Sequence, residues 1–126
     1  MFDIDRSLIV VRPKQPFLDW VQSVDYEEGL TLEHVRDDPS AYLIPEVFYN
    51  DERPAILKWC YEVVFEAELD SWYTDPAVWP PRRDLEMFLA WFEIEFHSGV
   101  FDLCDEPIQI LNDGPEDDGG PNSNGN

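Results

Sequence analysis

An α+β fold is what the chain predicts: a small single domain with a short sheet of about three strands packed by four helices. Three observations carry that expectation. Two β-branched or apolar runs, Ser7–Arg12 and Ala41–Pro45, are too short for helices and end at prolines. Between and after them, apolar residues recur at helical spacing. Beyond Phe92 the period changes, so that Glu93, Glu95 and His97 fall on one side of the chain and Ile94 and Phe96 on the other. The resulting order is strand, helix, helix, strand, helix, helix, strand, which suits helices laid on a small sheet.

Each element has a local reason. "SLIVVR" (Ser7–Arg12) reads as a buried strand stopped by Pro13. "PFLDWVQSV" reads as a helix with Pro16 in its first turn and Phe17, Trp20, Val21 and Val24 at i, i+3, i+4 and i+7. Gly29 breaks that pattern. "TLEHVRDDP" is a short helix capped by Thr31 and closed before Pro39. "RPAILKWCYEVVFEAELDSW" (Arg53–Trp72) is the longest helix, with Asn50 or Asp51 as cap and Pro54 in the first turn. Ile56, Trp59, Cys60, Val63, Val64 and Ala67 form one apolar stripe on it, and Leu57, Tyr61 and Phe65 a second beside it. At ~100° per residue the combined arc is roughly 240° wide. That width predicts a helix central to the domain or shared with another chain, with Trp59 buried. "RRDLEMFLAWF" is a further helix, with Leu85, Phe88, Leu89 and Phe92 expected inward.

Composition supports a folded domain over residues 1–111, since 44% of the chain is hydrophobic and 14% aromatic. "NDGPEDDGGPNSNGN" (Asn112–Asn126) holds no apolar residue and reads as a disordered acidic tail. There are 28 acids and 8 bases, for a formal charge of −20. Only six of the acids follow Cys104, so the chain up to that residue alone stays near −14. Such a charge repels nucleic acid and anionic lipid and attracts a basic protein, a polyamine or a divalent cation.

No apolar run approaches the roughly 20 residues that span a bilayer, and the acids in "MFDIDRSLIVV" do not fit a signal peptide. Two cysteines, Cys60 and Cys104, are too few for a disulfide framework or a zinc site. A cytoplasmic protein without a cofactor is the expectation.

Candidate chemistry is sparse. Glu95 and His97, ~6.6 Å apart on a strand, could converge on one cation, whereas Glu93 lies too far along for the same ion. The competing reading is a solvated strand face whose acids discourage edge pairing. His34 has Arg36 and Asp37 close by, but nothing local supplies both the nucleophile and the orienting group that a catalytic base needs. Cys60 falls in an apolar stripe, where a thiol is inert, and Asp102 and Asp105 beside Cys104 disfavour its thiolate. "NDGPEDDGG" lacks the order and closing Glu of a calcium loop. There is no P-loop, G-x-G-x-x-G, G-x-S-x-G or H-E-x-x-H.

Arginines Arg82 and Arg83 open a helix, where the helix dipole favours acids, and so mark a contact with an anion, a partner or surface carboxylates. Trp72, Tyr73 and Trp79 lie in an Asp- and Pro-rich connector, as anchors for a partner or as lids on helix ends. The sequence thus points to a binding module docking onto a basic protein, in the manner of an inhibitor, an immunity-type protein or a nucleic-acid mimic, through Trp72, Tyr73, Trp79, Arg82 and Arg83. The alternatives are a carboxylate or metal-dependent enzyme using Glu95 and His97, and a homodimeric structural subunit.

Overall fold

The computed structural model describes residues 1–112. In chain order the elements are β1 (Phe2–Asp3), β2 (Ser7–Pro13), α1 (Gln15–Val24), α2 (Leu32–Val35), β3 (Ser40–Ile44), α3 (Arg53–Asp70), α4 (Leu85–Trp91), β4 (Phe92–His97) and β5 (Phe101–Asp102). The expected four helices and three-stranded sheet are present. The sheet is antiparallel in the order β3-β2-β4, with Ile9 opposite both Tyr42 and Phe96. Strands β1 and β5, absent from the expected order, pair with each other as a separate two-residue ribbon. Runs that short carry no periodicity. Apart from Asn112, the segment expected to be a tail lies outside the described residues.

Central strand β2 decides the layering. Its alternate residues Ser7, Ile9, Val11 and Pro13 are buried, while Leu8, Val10 and Arg12 are half-buried on the other face. One face of the sheet therefore receives the helices and the other stays partly open. β3 stops at Ile44 because Pro45 has no N–H to continue the ladder. Helix α1 begins with proline in its first turn, as expected, and the chain turns after it at Gly29, whose φ of 88° favours glycine. Thr31 caps α2 by accepting from the His34 amide. α4 starts three residues later than predicted, at Leu85, because Asp84 caps it through the Met87 amide.

A cluster of rings fills the space between helices and sheet. Phe17, Phe65, Phe88 and Phe92 are essentially fully buried. The Phe92 ring lies 5.2 Å from Phe17, 5.4 Å from Phe65 and 5.3 Å from Phe88, at the tilted or edge-on angles that aromatic quadrupoles favour. Ile9 and Val11 supply the floor.

The orientation of α3 corrects the expected one. Cys60, Val64, Phe65, Glu68 and Leu69 are buried, whereas Trp59 is 66% and Val63 53% exposed. An apolar arc wider than the sector a neighbour can cover leaves the helical phase undetermined. Here the core selects the side bearing Phe65 and Leu69, and Trp59 and Val63 share the outer edge with Lys58, Glu62 and Glu66. Leu89, expected inward, is 39% exposed.

The consequence is measurable in equilibrium denaturation. Phe65→Ala should lower stability by about 3–5 kcal/mol, as truncation of a fully buried ring does. Trp59→Ala should change it by less than about 0.5 kcal/mol, as surface substitutions do. Comparable losses from the two would contradict this orientation of α3.

Candidate functional site

The connector between α3 and α4 is tied down by hydrogen bonds made through its aromatic residues. The Tyr73 hydroxyl donates to the Val21 carbonyl of α1 at 3.0 Å, and the Trp79 indole N–H donates to the Tyr73 carbonyl at 2.7 Å. Trp20 of α1 reaches back with its own indole N–H to the Val78 carbonyl at 3.0 Å. Within the connector Pro76–Val78 forms a short 3-10 turn, capped by Asp75 through the Ala77 amide. Trp72 is 37% exposed and turns its ring edge-on to Phe17, 6.5 Å away. The rings thus both cover the end of the helical layer and remain in part accessible.

Arg83 belongs to this assembly and Arg82 does not. The Arg83 guanidinium donates to the Pro80 carbonyl at 2.6 Å and to Glu66 of α3 at 2.7 Å, and lies 5.7 Å from the Trp79 ring. Among the described residues Arg82 is exposed and makes no hydrogen bond or ion pair. The expected violation of helix-end charge preference is absent, because α4 begins only at Leu85, after both arginines, and carries Glu86 in its first turn. Arg83 instead locks the connector onto α3, and Arg82 faces solvent.

Beside the connector runs an open groove of about 580 Å³, walled by Trp20, Trp79 and Trp91 with Pro80 and Pro81, and edged by Asp19. Trp20 and Trp79 commit their N–H groups to carbonyls of the protein. The Trp91 indole N–H makes no hydrogen bond among the described residues, and it is not sealed from solvent. It remains a donor for something laid in the groove. Of the three tryptophans only Trp79 was legible as a candidate in the sequence, because the groove assembles across 71 positions of the chain. An aromatic next to a helix end was the one local sign.

On the outer face of β4, Glu93 accepts from Arg36 at 2.6 Å, and Glu95 accepts from Arg12. His97 Nε2 lies 2.9 Å from Glu95 Oε2. The arginine hydrogen bonds hold both carboxyls below the usual carboxylate range. Arg36 also donates to the Pro13 carbonyl, so this ladder fastens the segment after α2 to β2 and β4. Glu95 and His97 lie in contact with each other, and the cation at the Glu95 carboxylate is the Arg12 guanidinium. Among the described residues no group of three His, Cys, Asp or Glu side chains could hold a metal ion. His34 is exposed on α2, Cys104 is exposed, and burial pushes the Cys60 thiol up.

One polar contact lies inside. Glu68 is buried on α3 and accepts a 2.5 Å hydrogen bond from the Tyr42 hydroxyl of β3. Burial raises the Glu68 pKa, against the opposing effect of that hydrogen bond, and raises that of Tyr42 further. A glutamate in phase with Cys60 and Val64 was the sequence signal for this pair. No protein-family model, characterised protein or solved structure matches the chain.

The pair has a testable pH signature. An acid whose pKa is higher folded than unfolded loses stability as pH rises from the ordinary carboxylate range through the raised value. Glu68→Gln keeps an acceptor for Tyr42 and removes the buried charge. It should abolish that decline and leave stability at neutral pH equal to or above the parent's, read by denaturant melts across acid and neutral pH. A steeper decline in the variant would contradict the assignment. Tyr42→Phe, which strands the carboxylate, should cost about 1–3 kcal/mol at neutral pH.

Proposed function

We propose that this chain is a cytoplasmic binding module that docks onto a basic surface of a protein partner and uses the tryptophan groove as its anchor. The observation that carries the reading is one of contrast. Acidic surplus near −14 covers a well-packed domain, and into that surface is set an aromatic groove with an unused indole donor and Asp19 on its rim. Charge of one sign speeds encounter with an oppositely charged partner, and rings in a groove supply the lasting contact. Trp79 and Trp91 are the anchors, Trp72 extends the contact along the connector, and Tyr73 and Arg83 act by holding the connector in place. Arg82 faces the same solvent and orients an acidic group of the partner.

Two further features agree with it. No helix of the described residues is long and apolar enough to cross a membrane, and the exposed free thiol of Cys104 suits a reducing compartment. An acidic inhibitor, an immunity-type protein or a mimic of nucleic-acid charge would work by presenting acid to a basic surface. Direct binding of nucleic acid is opposed by the same charge.

Affinity capture at low salt and at about 0.5 M salt tests the electrostatic half, since screening shortens steeply over that range. Partner binding should weaken at least about tenfold, mostly through slower association. Trp91→Phe removes the donor and keeps a ring, and should weaken the complex several-fold with little change in the salt dependence. Binding that is equal at every salt concentration would overturn the reading, and binding indifferent to Trp72, Trp79 and Trp91 would place the contact elsewhere.

A further inference from the structure

A second groove, of about 530 Å³, runs along β4, between that strand and helices α3 and α4. It is lined by the successive β4 residues Phe92, Glu93 and Ile94. Successive residues of a strand point to opposite faces, so a groove touching both kinds lies beside the strand's edge. That edge is unpaired among the described residues: β4 bonds to β2 alone. Leu57, Leu85 and Leu89 make the opposite wall.

Two cations line this groove in a chain rich in acids, and neither holds a carboxylate among the described residues. Lys14 donates to the Leu89 carbonyl. Arg53 lies over the Phe96 ring at 4.7 Å, and its buried Nε has no hydrogen-bond partner. By contrast Arg6, Arg12, Arg36 and Arg83 each hold an acid. Lys14 bonds through its amide to Trp91, just before β4 starts, whereas Phe96 stands near the strand's end. The groove is thus mostly apolar and positive at both ends, and the one acid on its wall, Glu93, has its charge taken up by Arg36.

The same chain carries the complementary shape. After β5 the described residues have no regular structure, and Ile108, Ile110 and Leu111 are 65%, 89% and 90% exposed. In extended form Ile108 and Ile110 point the same way. Asp105 and Glu106 precede this run, and Asp113 follows it in the sequence. Five extended residues reach roughly 17 Å, about the length of β4.

We propose that Pro107–Leu111 of a second copy of this chain adds as a strand to the free edge of β4, with Ile108 and Ile110 in the groove and the preceding acids Asp105 and Glu106 drawn to its cationic ends. Main-chain bonds to the strand edge supply affinity, and the alternate isoleucines supply register. A second copy is the occupant because in the single chain the segment stays exposed while the groove stays open. Exchange of the two segments makes a twofold dimer whose two contacts are identical. The contact does not involve the tryptophan groove, so it stands or falls independently of the partner reading.

Sedimentation equilibrium of the full chain over a wide concentration range tests it. The parent should dimerise. Ile108→Asp combined with Ile110→Asp should weaken the dimer by at least about tenfold, as loss of central apolar anchors does. Both residues are exposed in the single chain, so folding is not at stake. Leu89→Arg, which fills the groove, should do the same. Mixing the groove-blocked and segment-blocked proteins should form a heterodimer with one intact contact. A parent that stays monomeric throughout, including one whose segment docks within its own chain, would overturn the proposal. So would a dimer that survives the double isoleucine substitution. If Leu89→Arg fails to fold, the isoleucine variant decides the matter alone.

Discussion

Phe92 is the constraint on which the other features rest. It follows α4 and begins β4 with no residue between, so one side chain has to satisfy helix packing and sheet packing at once. It does so by entering the ring cluster of Phe17, Phe65 and Phe88. Its amide still donates to the Phe88 carbonyl as the helix closes, while the Trp91 carbonyl accepts from Lys14 at 2.7 Å. That junction fixes the direction in which Trp91 points, and with it one wall of the tryptophan groove. It equally fixes where β4 starts, and with it the second groove. Two surfaces far apart in purpose therefore depend on one buried contact.

Charge is distributed to leave that contact undisturbed. A domain near −14 repels itself, which lowers the stability of any compact state. The few cations are placed where the fold has seams. Arg12 and Arg36 bridge strands and the segment after α2 on the outer face of β4, and Arg83 joins the connector to α3. Exposed pairs of this kind add little each, so their role is to set geometry more than to stabilise. Glu68 is the exception, an acid kept inside by Tyr42. It ties the edge strand β3 to α3, and burial there raises its pKa above the ordinary carboxylate value.

Much of the architecture was legible in the sequence because it was local. Prolines, Gly29 and the cap at Thr31 placed element ends, and the change of period at Phe92 marked the helix-to-strand switch. What could not be read was whatever depended on which neighbour arrives. Trp59 and Leu57 both sit on apolar stripes, and only packing against the sheet decides that Trp59 is left outside. The connector aromatics were legible as candidates, but their partner Trp20 lies more than fifty residues earlier, and Trp91 looked like any helix-end aromatic. Glu95 and His97 could be read as neighbours on one strand face, whereas the arginine that holds Glu95 comes from a strand 83 residues away.

Native-state hydrogen exchange at the Phe92 and Lys14 amides tests the central role of the junction most directly. Both are hydrogen-bonded at it. If the junction holds the fold together, they exchange only through global unfolding, as slowly as the amides of the slowest-exchanging core strand, and with the same denaturant dependence. Exchange at these two amides that is faster by orders of magnitude, through a local opening that leaves β2 protected, would contradict it.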